Sequence, residues 1–135
     1  MILIVCVDDH NGMMFNHRRQ SQDRVLRADI LELTDGKKLW MNAYSRKQFA
    51  ESDAEKIRVD ETFLDAAGDG EFCFVENADV SGCVERIEEI YLYRWNRDYP
   101  AEVYFPVDLS VWKCVETKEF AGSSHEKITR ERYIR

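Results

Sequence analysis

The sequence predicts an α/β fold: a mostly parallel central sheet with helices on both faces and a C-terminal antiparallel hairpin. Three observations predict it. Residues 2–7 and the middle of 71–76 are short runs that are apolar on both sides, the mark of strands buried on both faces of a sheet. Up to residue 87, strand-like segments alternate with helix-like ones, and that alternation builds a parallel sheet. From residue 88 onward, aromatic and β-branched residues recur between short turns, as in antiparallel strands.

Taken in order, the first strand (2–7) is closed by the turn residues Asp9-His10-Asn11-Gly12, and a polar loop covers 16–20. A helix is predicted over 21–34, capped by Ser21, because Leu26, Ile30 and Leu33 recur at i, i+4 and i+7. Asp35-Gly36 ends it, the glycine suiting the left-handed position after a helix. Residues 38–41 read as a second strand. Ser45 and Gln48 have capping-box spacing, which predicts a helix over 46–52. A brief strand at 56–59 precedes a helix capped by Asp60 that holds Phe63 and Leu64 and stops at Gly68-Asp69-Gly70. After the central strand 71–76, Asp79 caps a short helix with Val80, Cys83, Val84 and Ile87 inward. The strands 88–95, 101–105, 112–120 and 126–134 complete the chain.

At 135 residues, the chain is expected to form one domain spanning residues 1–135. Its composition, 44% hydrophobic and 33% charged, is that of a globular protein. The net charge of −7 argues against non-specific nucleic-acid binding, which draws most of its affinity from basic residues on phosphates. No stretch approaches the roughly 20 apolar residues of a membrane helix, and the apolar start lacks a basic leader and a cleavage site. A soluble, cytoplasmic protein is therefore expected, with no membrane partner. Homo-oligomerisation stays open. Cys6, Cys73, Cys83 and Cys114 stand singly, without C-x-x-C spacing, and Cys6, Cys73 and Cys114 lie in apolar alternation as small hydrophobes would.

A resemblance adds to this reading. Ile90-Tyr-Leu-Tyr93, Val103-Tyr-Phe-Pro106, Asp108-Leu-Ser, Trp112-Lys-Cys-Val115 and the closing Glu131-Arg132 resemble, in order, the C-terminal ladder of dihydrofolate reductases. Val7-Asp8 with Asn11-Gly12, and Glu32-Leu33-Thr34 with Gly36-Lys37 and Met41, are similar to that family's N-terminal segments. The similarity runs the length of the chain. Its implied fold agrees with the α/β reading, and its implied chemistry is NADPH-dependent reduction of folates. A ribonuclease Z label, suggested by small bacterial proteins like this one, is rejected: it requires an H-x-H-x-D-H zinc motif, and His10, His17 and His125 are isolated.

The chain departs from the family's pattern where the cofactor binds. The family's G-R-x-T segment is here Met41-Asn42-Ala43-Tyr44-Ser45, which keeps the Ser45 hydroxyl and lacks the phosphate-gripping arginine. Glu76-Asn77 replace the family's glycine pair, so a carboxylate stands where a pyrophosphate would lie and like charges repel. The chain is also shorter between 52 and 56, where the family supplies a second phosphate loop and a folate-gripping arginine. No cofactor is therefore expected.

What remains is a candidate pocket at the carboxyl ends of the parallel strands, where such folds place ligands. Asp23 and Glu76 are the candidate catalytic carboxylates. For Asp23 that role is what the resemblance implies, since the family places a pocket carboxylate near the start of its first helix; the alternative is a first-turn acid favourable to the helix dipole. His17, Arg18, Arg19, Asn42, Ser45 and Asn77 are the candidate ligand contacts, with Val7 and Asp8 at the pocket's floor. His17-Arg18-Arg19, with Arg24 and Arg27, form the basic cluster of an acidic chain and suit a phosphate or carboxylate. The alternative is a solvated cluster paired with Asp29 and Glu32. The aromatic band Tyr91, Tyr93, Trp95, Tyr99, Tyr104 and Phe105 reads as cross-strand packing on two neighbouring strands, and Trp40, Trp112 and the phenylalanines as core. The expected function is binding of a small anionic ligand or a protein partner. An enzyme of altered chemistry, a divergent reductase or a phosphodiesterase or ribonuclease, is the alternative.

Overall fold

The structure, a computed structural model, describes residues 1–49 and 55–135. Five parallel strands form the body of the main sheet: β1 (Ile2–Val7), β4 (Leu39–Met41), β5 (Ile57–Val59), β6 (Phe72–Val75) and β7 (Glu89–Arg94). Two antiparallel strands, β9 (Lys113–Phe120) and β10 (Ile128–Ile134), extend it beyond β7 in the order β5-β4-β6-β1-β7-β10-β9. The expected architecture is therefore present. β1 lies at the centre because its side chains are apolar on both faces, and it pairs Ile2–Val5 with Phe72–Val75 and Ile2–Val7 with Glu89–Arg94.

Alternation along these strands creates two cores. Leu3, Val5, Val7, Cys73, Val75, Ile90 and Leu92 pack on one face against Phe63 of α3 (Phe63–Ala66). Ile2, Ile4, Phe72, Phe74 and Tyr93 pack on the other against Leu26 and Ile30 of α1 (Arg24–Leu33). Leu26 and Ile30, one turn apart, form the buried stripe. Among the described residues no helix is long and apolar enough to cross a membrane.

Several boundaries differ from the sequence expectations, each for a local reason. Asp23, not Ser21, caps α1: its carboxylate accepts hydrogen bonds from the Val25 and Leu26 amides, a bond a carboxylate makes more strongly than a hydroxyl. Asn42, not Ser45, caps α2 (Ala43–Arg46), its Oδ1 accepting from Ser45 N at 3.0 Å, and a 3₁₀ turn follows at Lys47–Phe49. The remainder of the predicted 46–52 helix, and the shortened stretch near residue 52, lie outside the described residues. The segment from Asp79 to Ile87 forms only a 3₁₀ turn at Val84–Arg86, with the Asp79 carboxylate turned to Ser81 N.

The largest difference lies at residues 12–20. The predicted loop is a hairpin of β2 (Gly12–Phe15) and β3 (Arg18–Arg19) joined by Asn16-His17, both in the left-handed region at φ 52° and 61°. That is the turn whose twist matches a two-residue hairpin. The predicted strand 101–105 shortens to β8 (Val103–Tyr104) and pairs with β2 in a second, three-stranded sheet. Tyr104 is therefore not on a strand neighbouring Tyr91 and Tyr93. Phe15 on this small sheet is 44% exposed, and Cys114 on the edge strand β9 is exposed; neither is a core residue.

Candidate functional site

The hairpin β2–β3 lies against the carboxyl ends of the parallel strands, and its last residue makes the contact. The Arg19 guanidinium donates through Nε and Nη2 to the two carboxylate oxygens of Glu76, at 2.8 and 3.1 Å. Glu76 follows the last residue of β6, so the pair sits where an open α/β sheet places its ligand. Gln48 Nε2 donates to the same carboxylate at 3.1 Å. Arg19 also stacks over the Tyr44 ring at 4.4 Å and donates its backbone N–H to the Tyr44 hydroxyl at 2.7 Å. Burial pushes the Arg19 guanidinium's pKa down, but the Glu76 carboxylate outweighs it and holds the charged form.

The space left inside is a cavity of about 10 Å³ beside Cys6, Gln20, Ser21 and Gln48. That volume holds about one water molecule. Gln20 Oε1 and Ser45 Oγ are buried without a hydrogen-bond partner among the described residues. Burial, with the Glu76 charge adding to it, pushes the Cys6 thiol well above its usual range.

Asp23 stands apart from this cavity. Its Oδ1 accepts from Val25 N, Leu26 N and Ser123 N at 2.9, 3.2 and 2.9 Å. Its Oδ2 accepts from Ser124 N at 2.8 Å and lies 3.0 Å from His125 Nδ1. Burial alone would raise this carboxyl's pKa, but the Ser123 and Ser124 amides, His125 and Leu26 N hold it well below the usual carboxylate range. His125 stacks on Trp95 at 4.5 Å and turns Nε2 toward Ser21 Oγ at 3.1 Å and the Tyr99 hydroxyl at 3.0 Å. A row Asp23–His125–Ser21/Tyr99 thus ties the start of α1 to the β9–β10 turn.

Two shallower pockets flank the hairpin. One, about 270 Å³, is lined by Phe15, Asn16, Arg18, Arg19, Gln20, Tyr99 and Pro100. The other, about 280 Å³, is lined by Met14, Asn16, His17, Asn77, Glu102 and Val103. Among the described residues, no group of three or more His, Cys, Asp or Glu side chains could hold a metal ion.

No protein-family model and no curated protein matches this sequence. A solved structure does match: dihydrofolate reductase from Enterococcus faecalis, complexed with NADP(H) and RAB-propyl, superposes with a TM-score of 0.70. The match covers 99% of this chain and 95% of that one, at 12% identity. The chain has the dihydrofolate reductase fold.

Within the dihydrofolate reductase fold, the predicted site residues divide into groups. Arg19 and Glu76 meet in an ion pair. Asn42 and Asn77 meet through Asn42 Nδ2, which donates to Asn77 Oδ1 at 2.8 Å. His17 and Arg18 lie on opposite flanks of the hairpin, in different pockets. Ser45 is buried within α2, and Asp23 is engaged with the β9–β10 turn. Asp8 is buried too, closing the β1–β2 turn by accepting from Gly12 N at 2.7 Å and His10 N at 2.8 Å.

Sequence reading missed the role of a further buried carboxylate, Asp29. It accepts from the Tyr93 hydroxyl at 2.6 Å, Lys118 Nζ at 2.8 Å and Arg130 Nη1 at 2.8 Å. The proposed pairing of Asp29 with the 17–27 basic cluster gives way to β9 and β10, because Asp29 precedes Ile30 on the inward stripe of α1. That position, a carboxylate beside an apolar stripe, was the available signal.

Proposed function

We propose that this chain is a binding protein built on the dihydrofolate reductase fold, without NADPH-dependent folate reduction, and that it takes a small anionic ligand. The observation that carries this reading is the Arg19–Glu76 pair, which fills the strand-end cleft down to about 10 Å³. A nicotinamide or a pterin needs a site of several hundred Å³. A cofactor phosphate would also meet the Glu76 carboxylate. The ligand site proposed instead is the open pocket beside it, about 270 Å³, where Arg18 projects. Arg18 is exposed and has no carboxylate within ion-pair distance among the described residues, so its guanidinium can offer a bidentate contact. Thermal-shift measurements test this. NADPH and dihydrofolate leave Tm unchanged, whereas phosphate or citrate raises it, and Arg18→Ala removes that rise. A clear shift with NADPH sinks the reading.

An enzyme of altered chemistry is the second reading, favoured by the Asp23–His125–Ser21 row. A base turned to a hydroxyl and oriented by a buried carboxylate is the arrangement that activates a nucleophile. Labelling of Ser21 by a fluorophosphonate, lost in His125→Asn, would support it. An unlabelled protein removes it.

A further inference from the structure

We propose that Glu76 is the built-in occupant of an anion site formed by Arg19 and Gln48, and that a small carboxylate or phosphate group can take its place. The donors converge on the Glu76 carboxylate as they would on a ligand. Arg19 supplies the two parallel bonds of a guanidinium fork, at 2.8 and 3.1 Å, and Gln48 adds a third donor at 3.1 Å. Tyr44 holds the guanidinium plane from below at 4.4 Å and accepts the Arg19 backbone N–H at 2.7 Å. The arginine is therefore positioned independently of its carboxylate.

A further observation points to exchange with a ligand. Arg19 and Gln20 also line the open pocket of about 270 Å³, and so form the wall between it and the closed cavity. An anion in the outer pocket reaches the same guanidinium from the other side. Displacing Glu76 would shift that wall and open the strand-end cleft, which makes the pair an autoinhibitory contact.

This inference rests on the anionic-ligand reading but is tested apart from it. Glu76→Ala empties the proposed site, and formate or phosphate is titrated against it while Tm is followed, with chloride at equal ionic strength as control. Formate and phosphate distinguish a carboxylate from a phosphate ligand. The expected result is a rise of about 5–10 °C near a hundredfold excess over Kd, absent in Arg19→Ala/Glu76→Ala and retained in Arg18→Ala/Glu76→Ala. Should Glu76→Ala unfold without anions, recovery of its circular dichroism in formate is the same positive result. Glu76→Gln keeps the side-chain volume and leaves Arg19 without a counter-charge, so the same anions raise its Tm by less. Variants no more responsive to formate and phosphate than to chloride overturn the proposal. Loss of the wild-type response in Arg18→Ala, by contrast, concerns only the outer pocket.

Discussion

Asp23 shows how much a single buried carboxylate can hold together. It caps α1, orders the 122–125 turn and orients His125, while its side chain is 0% exposed. Removing its charge leaves amides and an imidazole facing a group that cannot satisfy them all. Asp23→Asn is expected to cost about 1–3 kcal/mol, the scale of buried hydrogen-bonding groups left unsatisfied. Chemical denaturation checks this. The pH dependence follows from the direction of the shift. The folded carboxyl titrates below the unfolded one (about 3.9), so on acidification the unfolded state binds the proton first. Its stabilisation is complete above that value, declines as pH falls below it, and is gone only once pH has fallen through the lower folded value. Wild-type Tm should fall steeply below about pH 4, and Asp23→Asn should flatten that slope. Asp8 and Asp29, also held low against burial by hydrogen-bond donors, contribute to the slope that remains. The sequence displayed Asp23 as a first-turn acid, but its partners lie about a hundred residues away, at Ser123–His125.

At the scale of elements, the hairpin β2–β3 decides what the cleft can accept, and it was the element hardest to read. Hairpins of this length are normally announced by Asn-Gly. Here the second turn residue is His17, a side chain in the left-handed region at φ 61°. That conformation costs roughly 1–2 kcal/mol outside glycine. His17→Gly is therefore expected to raise stability by up to about 1 kcal/mol after glycine's own entropic cost. Denaturant titration reads this, and unchanged or lower stability would contradict the account. α1, by contrast, was plain in the sequence, because Leu26 and Ile30 mark its face. α2 was plain only in part. Asn42 and Ser45 both have capping side chains, and spacing alone favoured the wrong one.

Across the whole molecule, burial falls from the centre of the sheet to its edge. β1 and β6 are buried almost throughout, while seven of the eight residues of β9 are exposed and the eighth is half-buried. Hydrogen exchange should follow this gradient, with β1 and β6 amides opening only by global unfolding and β9 exchanging first. Uniform protection across the sheet would contradict it. β9 also carries the marks of a guarded edge: lysines at 113 and 118 and a register shift opposite Arg132/Tyr133.

The architecture was legible in the residue pattern, because strands apolar on both sides need both faces of their sheet covered, and alternating helices supply that cover. The sequence also displayed the chemistry available, a basic 17–19 segment and an acid at 76. What those groups do depends on contacts that form in the folded chain. Arg19 and Glu76 are 57 residues apart and Asp29 and Arg130 101 apart. Such pairs leave no local periodicity for a sequence to show. Their geometry exists only once the hairpin has closed over the strand ends and β10 has joined the sheet.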